Sequence, residues 1–536
     1  MKLIGQLSLV QYDGEIYANH VAMLWFSQAV SRKVTIMSPL VLVLCLTLPV
    51  FLLFFFRYPR TLKNKNQLHP PGPRGLPILG NLHQLDNSNF HVQLWQLSKK
   101  YGPLFSLQLG LRPAIVISSP KVAKEALKNH DVEFSGRPKL HGQQRLSYNG
   151  IDMSFSPYGT YWREIRKLCV VHVLSSRRVS SFSPIRHFEV KHMINKISGH
   201  ASSSTVTNLN EVLISLTSAI ICRTAFGRRY EDEGNERSRF HGLLNECEAM
   251  MGVLFVSDYI PFLGWVDKLT GLRTRLEKSF KELDEFSQEV IEEHMDPNRK
   301  SSEEEDIIDV LLQLKKQRSF STDLTIDNIK AVFMDLLIAA TDTTASTAVW
   351  VMTELVKHPR VMKKVQEEIR NWEDKKDFID EDETQNFPYF KAVIKETLRL
   401  HPPLALLVPK ETNKRCIIEG YEIAAKTLVY VNAWAIHRDP DTWKEPEEFL
   451  PERFLDSTID FRGQDFELIP FGAGRRSCPG ILMAIASLDL ILANLLYFFD
   501  WELPPGIKKE DIDTEVLPGL VQYKKNPLCV LAKCHM

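Results

Sequence analysis

The chain has 536 residues, 44% of them hydrophobic and 25% charged, an ordinary globular composition that excludes a wholly disordered, collagen-like or polytopic membrane chain. Lys plus Arg and Asp plus Glu both number 66, so no net charge draws the chain onto nucleic acid. The 8 cysteines include no CxxC pair, which argues against a disulfide scaffold or a zinc ribbon, and the tail Cys529…Cys534-His535 lacks the partners a metal site needs.

Residues 1–34 are polar, mixed and without periodicity, and Met37 opens an apolar run as an initiator methionine would. These residues are expected to be a dispensable extension. Residues 35–56 carry no charge and would span about 33 Å as a helix, the thickness of a bilayer's hydrocarbon core. A cleaved signal peptide is the alternative, but no small-residue cleavage site follows the run. Arg57, Arg60, Lys63 and Lys65 flank it, so the positive-inside bias places everything beyond it in the cytosol. The expectation is a single-span anchor at 35–56, a basic and proline-rich hinge at 57–81 (Pro70-Pro71-Gly72-Pro73, then Pro77) and one large domain at 82–536.

Within that domain, strand-like runs fall at Leu104–Leu109 and Ala114–Ile117, and charged clusters at 231–237 and 297–306 read as solvated loops. From Thr325 to His358 there is neither Gly nor Pro, and Pro359 ends the run. This long helix is apolar nearly all round at 331–351, which marks a buried central helix, with a polar notch at Asp335, Thr341, Asp342, Thr343 and Thr344. A helix is predicted from Tyr389 to His401, and an apolar one after Pro479; between them short strands alternate with turns. The fold class is therefore mainly α with smaller β regions.

One segment carries the sharpest chemistry: Pro470-Phe471-Gly472-Ala473-Gly474-Arg475-Arg476-Ser477-Cys478-Pro479-Gly480. A glycine-rich loop delivers a single cysteine to the start of an apolar helix, where free N–H groups and nearby arginines favour the thiolate. Such a cysteine can ligate a soft metal, attack a carbonyl or be a buried thiol.

Phe471-x-x-Gly474-x-Arg476-x-Cys478-x-Gly480 resembles the haem-binding loop of the cytochrome P-450 monooxygenases, and four further segments resemble that family in its order and spacing. Glu396-Thr397-Leu398-Arg399 resembles its ExxR and Pro451-Glu452-Arg453-Phe454 its PERF, which implies a buried ion triad of Glu396, Arg399 and Arg453 behind the haem. Trp162-Arg163-Glu164-Ile165-Arg166 resembles its WxxxR, and Phe134-Ser135-Gly136-Arg137 another segment that reaches a haem propionate. The resemblance assigns propionate contacts to Trp162, Arg166, Arg137, Arg476 and Lys410, a place in the haem loop to Phe471, and the axial thiolate of haem b to Cys478. Ala339-Ala340-Thr341-Asp342-Thr343-Thr344 resembles the oxygen-pocket motif, which makes Asp342 and Thr343 an acid–alcohol pair for proton delivery. A competing role for Thr343 is a bond to its own helix carbonyl. Ala340 stands where the family usually has Gly, and its methyl narrows the pocket.

The likeness spans roughly 35–536, and PPGPRGLPILGN at 70–81 with FGAGRRSCPG at 471–480 looks like plant microsomal enzymes of specialised metabolism. It implies a P-450 fold with an N-terminal anchor in the endoplasmic reticulum membrane, a small hydrophobic or aromatic substrate, and electrons from NADPH. No GxGxxG follows a strand, so NADPH-cytochrome P-450 reductase is expected as a separate partner, beside the lipid bilayer. Substrate contacts are expected in 140–153, 250–255, 334–338, 404–408 and 520–521. Two other readings remain at this point: a haem-thiolate isomerase or dehydratase that works without O2 or reductase, and a non-catalytic anchored haem protein.

Overall fold

The computed structural model describes residues 68–86, 88–229, 235–299 (235–239 as backbone), 305–317, 324–372 and 377–535. The expected extension at 1–34, the anchor at 35–56 and the hinge as far as residue 67 lie outside the described residues. The remainder is mostly helical with small sheets, as the composition and periodicity suggest.

A first helix, α1 (Phe90–Tyr101), leads into the hairpin β1 (Leu104–Leu109) and β2 (Arg112–Ile117). Next come α2 (Thr160–Leu168), α3 (Ser183–Ser202), α4 (Leu209–Phe226), α5 (Asn235–Gly252) and α6 (Leu272–Met295). The long α7 (Ile326–Lys357) and α8 (Pro388–Leu400) precede the strands β3 (Lys410–Glu411) and β4 (Leu428–Val431), and α9 (Ile481–Phe498) follows the cysteine loop. The main sheet has the order β1-β2-β4-β3. β1 and β2 are antiparallel, β2 and β4 parallel with Ala114 opposite Leu428, and β3 closes the edge with Lys410 opposite Val429. The charged cluster at 231–237 is not all loop, since its last residues open α5.

α7 is the axis of the body. Thr325 caps it by a reciprocal box: its hydroxyl accepts the Asn328 N–H at 3.2 Å, and Asn328 Oδ1 accepts the Thr325 N–H at 2.9 Å. Pro359 stops it, because the ring cannot sit inside the preceding turn. Its flanks pack on α4, α8 and α9 in one apolar cluster and on α5 and α6 in another. α4, α7 and α9 are long and apolar enough to cross a membrane, but 67%, 78% and 61% of their apolar windows are buried inside the body, so they are core helices. From 328 to 356 every residue of α7 is buried except Ala339, Ala340 and Thr343. Ala339 and Thr343 stand one turn apart on one face, so the axis is open along a single strip.

Trp350 fixes the far end of that axis. Its ring is fully buried and stacks on His401 at 4.1 Å, and its indole N–H donates to the Gln522 carbonyl at 2.8 Å. The Ser346 hydroxyl donates to the same carbonyl at 2.8 Å, so the C-terminal loop is pinned to α7 at two points. Trp350→Ala is expected to cost about 3–5 kcal/mol of stability, measurable as a lower urea midpoint with an unchanged slope; an unchanged midpoint would show that the loop and helix are held by other contacts.

Candidate active site

The cysteine loop is shaped by close backbone approaches. Gly474 adopts φ +70°, and a Cβ there would lie 2.4 Å from the Leu127 carbonyl and 2.6 Å from the Asp131 carboxylate. Asp131 also accepts the Arg475 N–H at 3.1 Å and pairs with its guanidinium at 3.0 Å, so Arg475 is an anchor of the loop. The Cys478 N–H returns to the Phe471 carbonyl at 2.8 Å, closing the turn that leads into α9. Cys478 is half-buried.

Its electrostatics differ from the sequence expectation. Burial pushes the Cys478 thiol up, while the Gly480 N–H and the Arg166 guanidinium pull it down less strongly. Reasoning from the helix start counted the donors and omitted desolvation, which outweighs them in so apolar a setting. A cysteine held this way becomes thiolate when a metal takes the place of its proton.

Around the loop the structure assembles four cations. Arg137 donates to the carbonyls of Ser154, Val408 and Pro409, each at 2.8 Å. Arg476 donates to Ser135, Met153 and Ser156 carbonyls at 2.9, 3.2 and 2.5 Å. Arg166 donates to the Ser477 carbonyl at 2.7 Å. Lys410 is buried on β3 and makes no side-chain hydrogen bond among the described residues. Trp162 lies between two of them, with Arg476 4.2 Å and Arg166 5.6 Å from its ring; its indole N–H donates to the Met153 carbonyl at 3.0 Å.

Among the described residues none of these cations forms an ion pair with a carboxylate. Burial pulls Arg137 down to about 10 and Arg476 to about 8, and carries Lys410 well below its ordinary value, with Arg137 and Arg476 adding to the effect on Lys410. Buried positive charge without an anionic partner is costly, and a dianionic ligand would offset it. A sulfur beside such a cluster suits a cofactor with a soft metal and two carboxylates, which is the chemistry of haem.

Behind the loop, Arg399 grips Glu396 with two bonds of 2.7 and 2.8 Å, both residues fully buried, and Arg453 reaches the same carboxylate at 3.1 Å. The Leu450 N–H is a further donor to it at 2.9 Å. Arg399 also donates to the carbonyls of His437, Pro446 and Glu448. Sequence reasoning missed His437. Burial, then Arg399 and Arg438, pull its pKa down to about 3, so it is neutral and its Nε2 accepts the Ile469 N–H at 2.9 Å. The Ile469 carbonyl accepts the Gly472 N–H at 2.9 Å. The triad thus reaches the cysteine loop through His437 and Ile469.

On α7, the Thr343 hydroxyl donates to the Ala339 carbonyl at 2.7 Å, and Thr341 closes on Leu337 in the same way at 2.8 Å. The helix runs unbroken through Ala340. Asp342 is buried with one carboxylate oxygen unpartnered. Two residues that sequence reasoning missed face it: Glu248 of α5 and Tyr523 of the C-terminal loop. Burial and the hydrogen bond to Asp342 push the Glu248 carboxyl up to about 11, and burial pushes the Tyr523 phenol up as well. The shift favours the protonated form of Glu248, whose side chain is half-buried. Its place in a mixed amphipathic helix carries no sign of a partner nearly a hundred residues away.

An apolar cavity opens beside the β1–β2 hairpin, lined by Leu82, Phe90, Leu140, Met251, Leu406 and Leu520 among others. It gathers residues from four of the five expected substrate segments. The fifth, 334–338, is buried in the core, and the lining includes neither Cys478 nor Thr343. In a second group of ligating side chains, His294, Asp306 and Asp309, Arg299 already pairs with both aspartates at 2.9 and 2.7 Å, and His294 Nε2 lies 2.9 Å from Asp306. Cys529 and Cys534 are both exposed, on one strand.

The fold is that of known haem-thiolate enzymes. It superposes with TM-scores of 0.70 and 0.68 on solved structures of zebrafish cytochrome P450 with progesterone and with abiraterone, each 25% identical over 83% of this chain and 99% and 100% of theirs. The Cytochrome P450 family model matches residues 70–530, and the chain belongs to that family, whose members are haem-thiolate monooxygenases. Similar proteins include plant enzymes. The chain is 46% identical to 6,7,8-trihydroxycoumarin synthase of Pastinaca sativa over 93% of this chain and all of that one. It is 47% identical to cytochrome P450 71B34 of Arabidopsis thaliana (92% and 97%), and 45% identical to strychnine-11-hydroxylase of Strychnos nux-vomica (90% and 94%).

Glu396→Ala leaves Arg399 and Arg453 facing an apolar gap, and breaking a buried pair in this way costs about 3–5 kcal/mol. The purified variant is expected to be haem-poor, with His437→Ala intermediate, as measured by haem per polypeptide. Full haem content in both variants would show that the loop does not depend on the triad.

Proposed function

We propose that this chain is a monooxygenase that places one oxygen atom of O2 into a small hydrophobic or aromatic specialised metabolite, with electrons passed from NADPH by a separate membrane-bound reductase. The observation that carries the reading is the cation cluster of Arg137, Arg166, Lys410 and Arg476, without carboxylate partners among the described residues, beside the loop that presents Cys478. Cys478 would supply the thiolate that ligates the haem iron, the four cations and Trp162 would hold the haem propionates, and Phe471 would belong to the loop that carries Cys478. Bound haem supplies the activation of O2.

The chain's own residues would manage the protons. Glu248 holds a proton beside Asp342, and Asp342 passes it toward Thr343 on the open strip of α7. The Thr343 hydroxyl turns from the Ala339 carbonyl into the pocket, a rotation open to threonine, which populates two helix rotamers. The Asp342 carboxylate is refilled from Glu248, and the half-buried Glu248 takes its own proton back from solvent water. Residues that line the apolar cavity exclude water and admit an apolar ligand. Relatives named for a trihydroxycoumarin and for strychnine support fused-ring aromatic substrates.

In the same reading, residues 35–56 are a single-span anchor in the endoplasmic reticulum membrane, 57–81 a stiff hinge and 1–34 a dispensable extension. The body then stands on the cytosolic face, where the reductase meets it. An isomerase or dehydratase has no use for the Glu248–Asp342–Thr343 series, which is why the oxygen-dependent reaction is preferred.

Thr343→Ala is expected to keep consuming NADPH and O2 while product per NADPH falls about tenfold or more, with hydrogen peroxide making up the difference. Unchanged coupling would remove Thr343 from proton delivery, and turnover without NADPH or O2 would favour the isomerase class.

A further inference from the structure

A loop lies between the cation cluster and α7, and its two edges are held by opposite chemistry. Its carbonyl edge faces the cations: Met153 accepts from Trp162 and Arg476, Ser154 from Arg137, and Ser156 from Arg476. Its N–H edge faces two carboxyls. Asp335 of α7 accepts the N–H groups of Met153 at 2.8 Å and Ser154 at 3.2 Å. Asp152 accepts the Phe155 N–H at 3.0 Å. Three successive N–H groups, Met153 to Phe155, thus bring the two carboxyls onto one turn of backbone, Asp152 being 0% and Asp335 6% exposed. Neither forms an ion pair with Lys or Arg among the described residues.

Two ionised carboxylates are not both held on one buried turn without a paired cation, because their charges repel and neither has a proton to share. We propose that Asp152 and Asp335 form a carboxylic acid–carboxylate pair that shares one proton, and that as positioning residues they clamp the 152–156 loop so that its carbonyls aim Arg137 and Arg476 at the haem. The aim toward haem rests on the reading of the cysteine loop given above; the shared proton does not.

The surroundings support one retained proton. Burial drives Asp152 upward, reinforced by Asp335, and burial also raises Asp335 against the pull of the Ser154 and Met153 donors. The groups that face the pair are Arg137 and Arg476 on the cation side and Tyr161 and Cys169 from α2 and the turn after it. Burial pushes the Tyr161 phenol and the Cys169 thiol up, so both stay neutral. The arginines spend their N–H groups on loop carbonyls and reach neither carboxyl directly.

The stability consequence has a definite sign. An unfolded aspartic acid loses its proton near pH 3.9, whereas the folded pair keeps one to higher pH. Over that interval the native state binds more protons, so the pair's contribution to stability falls as pH rises and levels off once the pair has titrated. Asp335→Asn retains an oxygen for Met153 and Ser154 and supplies its own N–H to Asp152, so it needs no shared proton and loses that slope.

The test uses the full-length protein with Asp152→Asn, Asp335→Asn and Asp335→Leu. In infrared spectra at neutral pH, the carbonyl stretch of a protonated carboxylic acid should lose one component in both Asn variants, while the Glu248 component stays as an internal reference. As pH rises above the range in which an unfolded aspartic acid loses its proton, the melting temperature of the wild type should fall relative to that of Asp335→Asn. Haem transfer to apomyoglobin should be about tenfold faster or more from Asp335→Leu and nearly unchanged from Asp335→Asn. An infrared band intact in both Asn variants would overturn the shared proton, and haem retention by Asp335→Leu equal to wild type would overturn the positioning role. Wild-type protein that takes up no haem would instead overturn the reading of the cysteine loop, and the infrared comparison, which needs no haem, would still decide the pair.

Discussion

The carboxylate of Glu396 is the point from which the cysteine loop is held. It is fully buried and receives two guanidiniums and a backbone N–H, so its charge is satisfied on every side. The cost of that satisfaction is rigidity in its partners. Arg399 spends its remaining donors on three carbonyls in the segment 437–448, and that segment carries His437, whose ring receives the Ile469 N–H. Ions exchanged for apolar side chains often leave stability unchanged or improved, so the triad is best understood as geometry. It sets the approach of the loop to within a hydrogen-bond length, and a metal ligand needs its sulfur placed that closely.

On the other side the body is built around a mismatch of charge. Arg137, Arg166, Lys410 and Arg476 converge from four separate segments; carbonyl oxygens answer three of them, and among the described residues Lys410 makes no side-chain hydrogen bond. Carbonyl dipoles orient a guanidinium without neutralising it. The loop at 152–156 takes part in this from one edge while Asp152 and Asp335 hold the other, so the central helix and the cation cluster share one short piece of backbone. α7 therefore serves the site twice: once through Asp335, and one to two turns later through Ala339 and Thr343 on the opened strip and the buried Asp342 beside it.

Much of this was legible in the sequence where the signal is local. The cap at Thr325, the stop at Pro359 and the apolar run between them define α7 to within a residue at each end. Glu396 and Arg399 share a helix face at a spacing of three, and PERF brings the third ion by resemblance. The cysteine loop shows in its glycines. What depends on burial or on distant partners was not legible. The helix-start argument predicted a lowered Cys478 thiol, and desolvation reversed the sign. Trp162 and Arg166 stand one turn apart as WxxxR suggests, yet their donors go to Met153 and Ser477. Glu248, His437 and the pairing of Asp152 with Asp335 link residues 94, 38 and 183 positions from their partners, and nothing in their own neighbourhoods marks them. Asp335 was seen as part of a polar notch, but not as the anchor of a loop.

The account stands on Cys478 being the sulfur that a haem iron takes. The direct measurement is the carbon monoxide difference spectrum of the reduced, purified full-length protein, recorded beside Cys478→Ser. The account predicts a far red-shifted Soret band in the wild type, the mark of a thiolate ligand, and its absence in the variant. A band at the position of histidine-ligated haem in folded wild-type protein, or the same red-shifted band in Cys478→Ser, would contradict it.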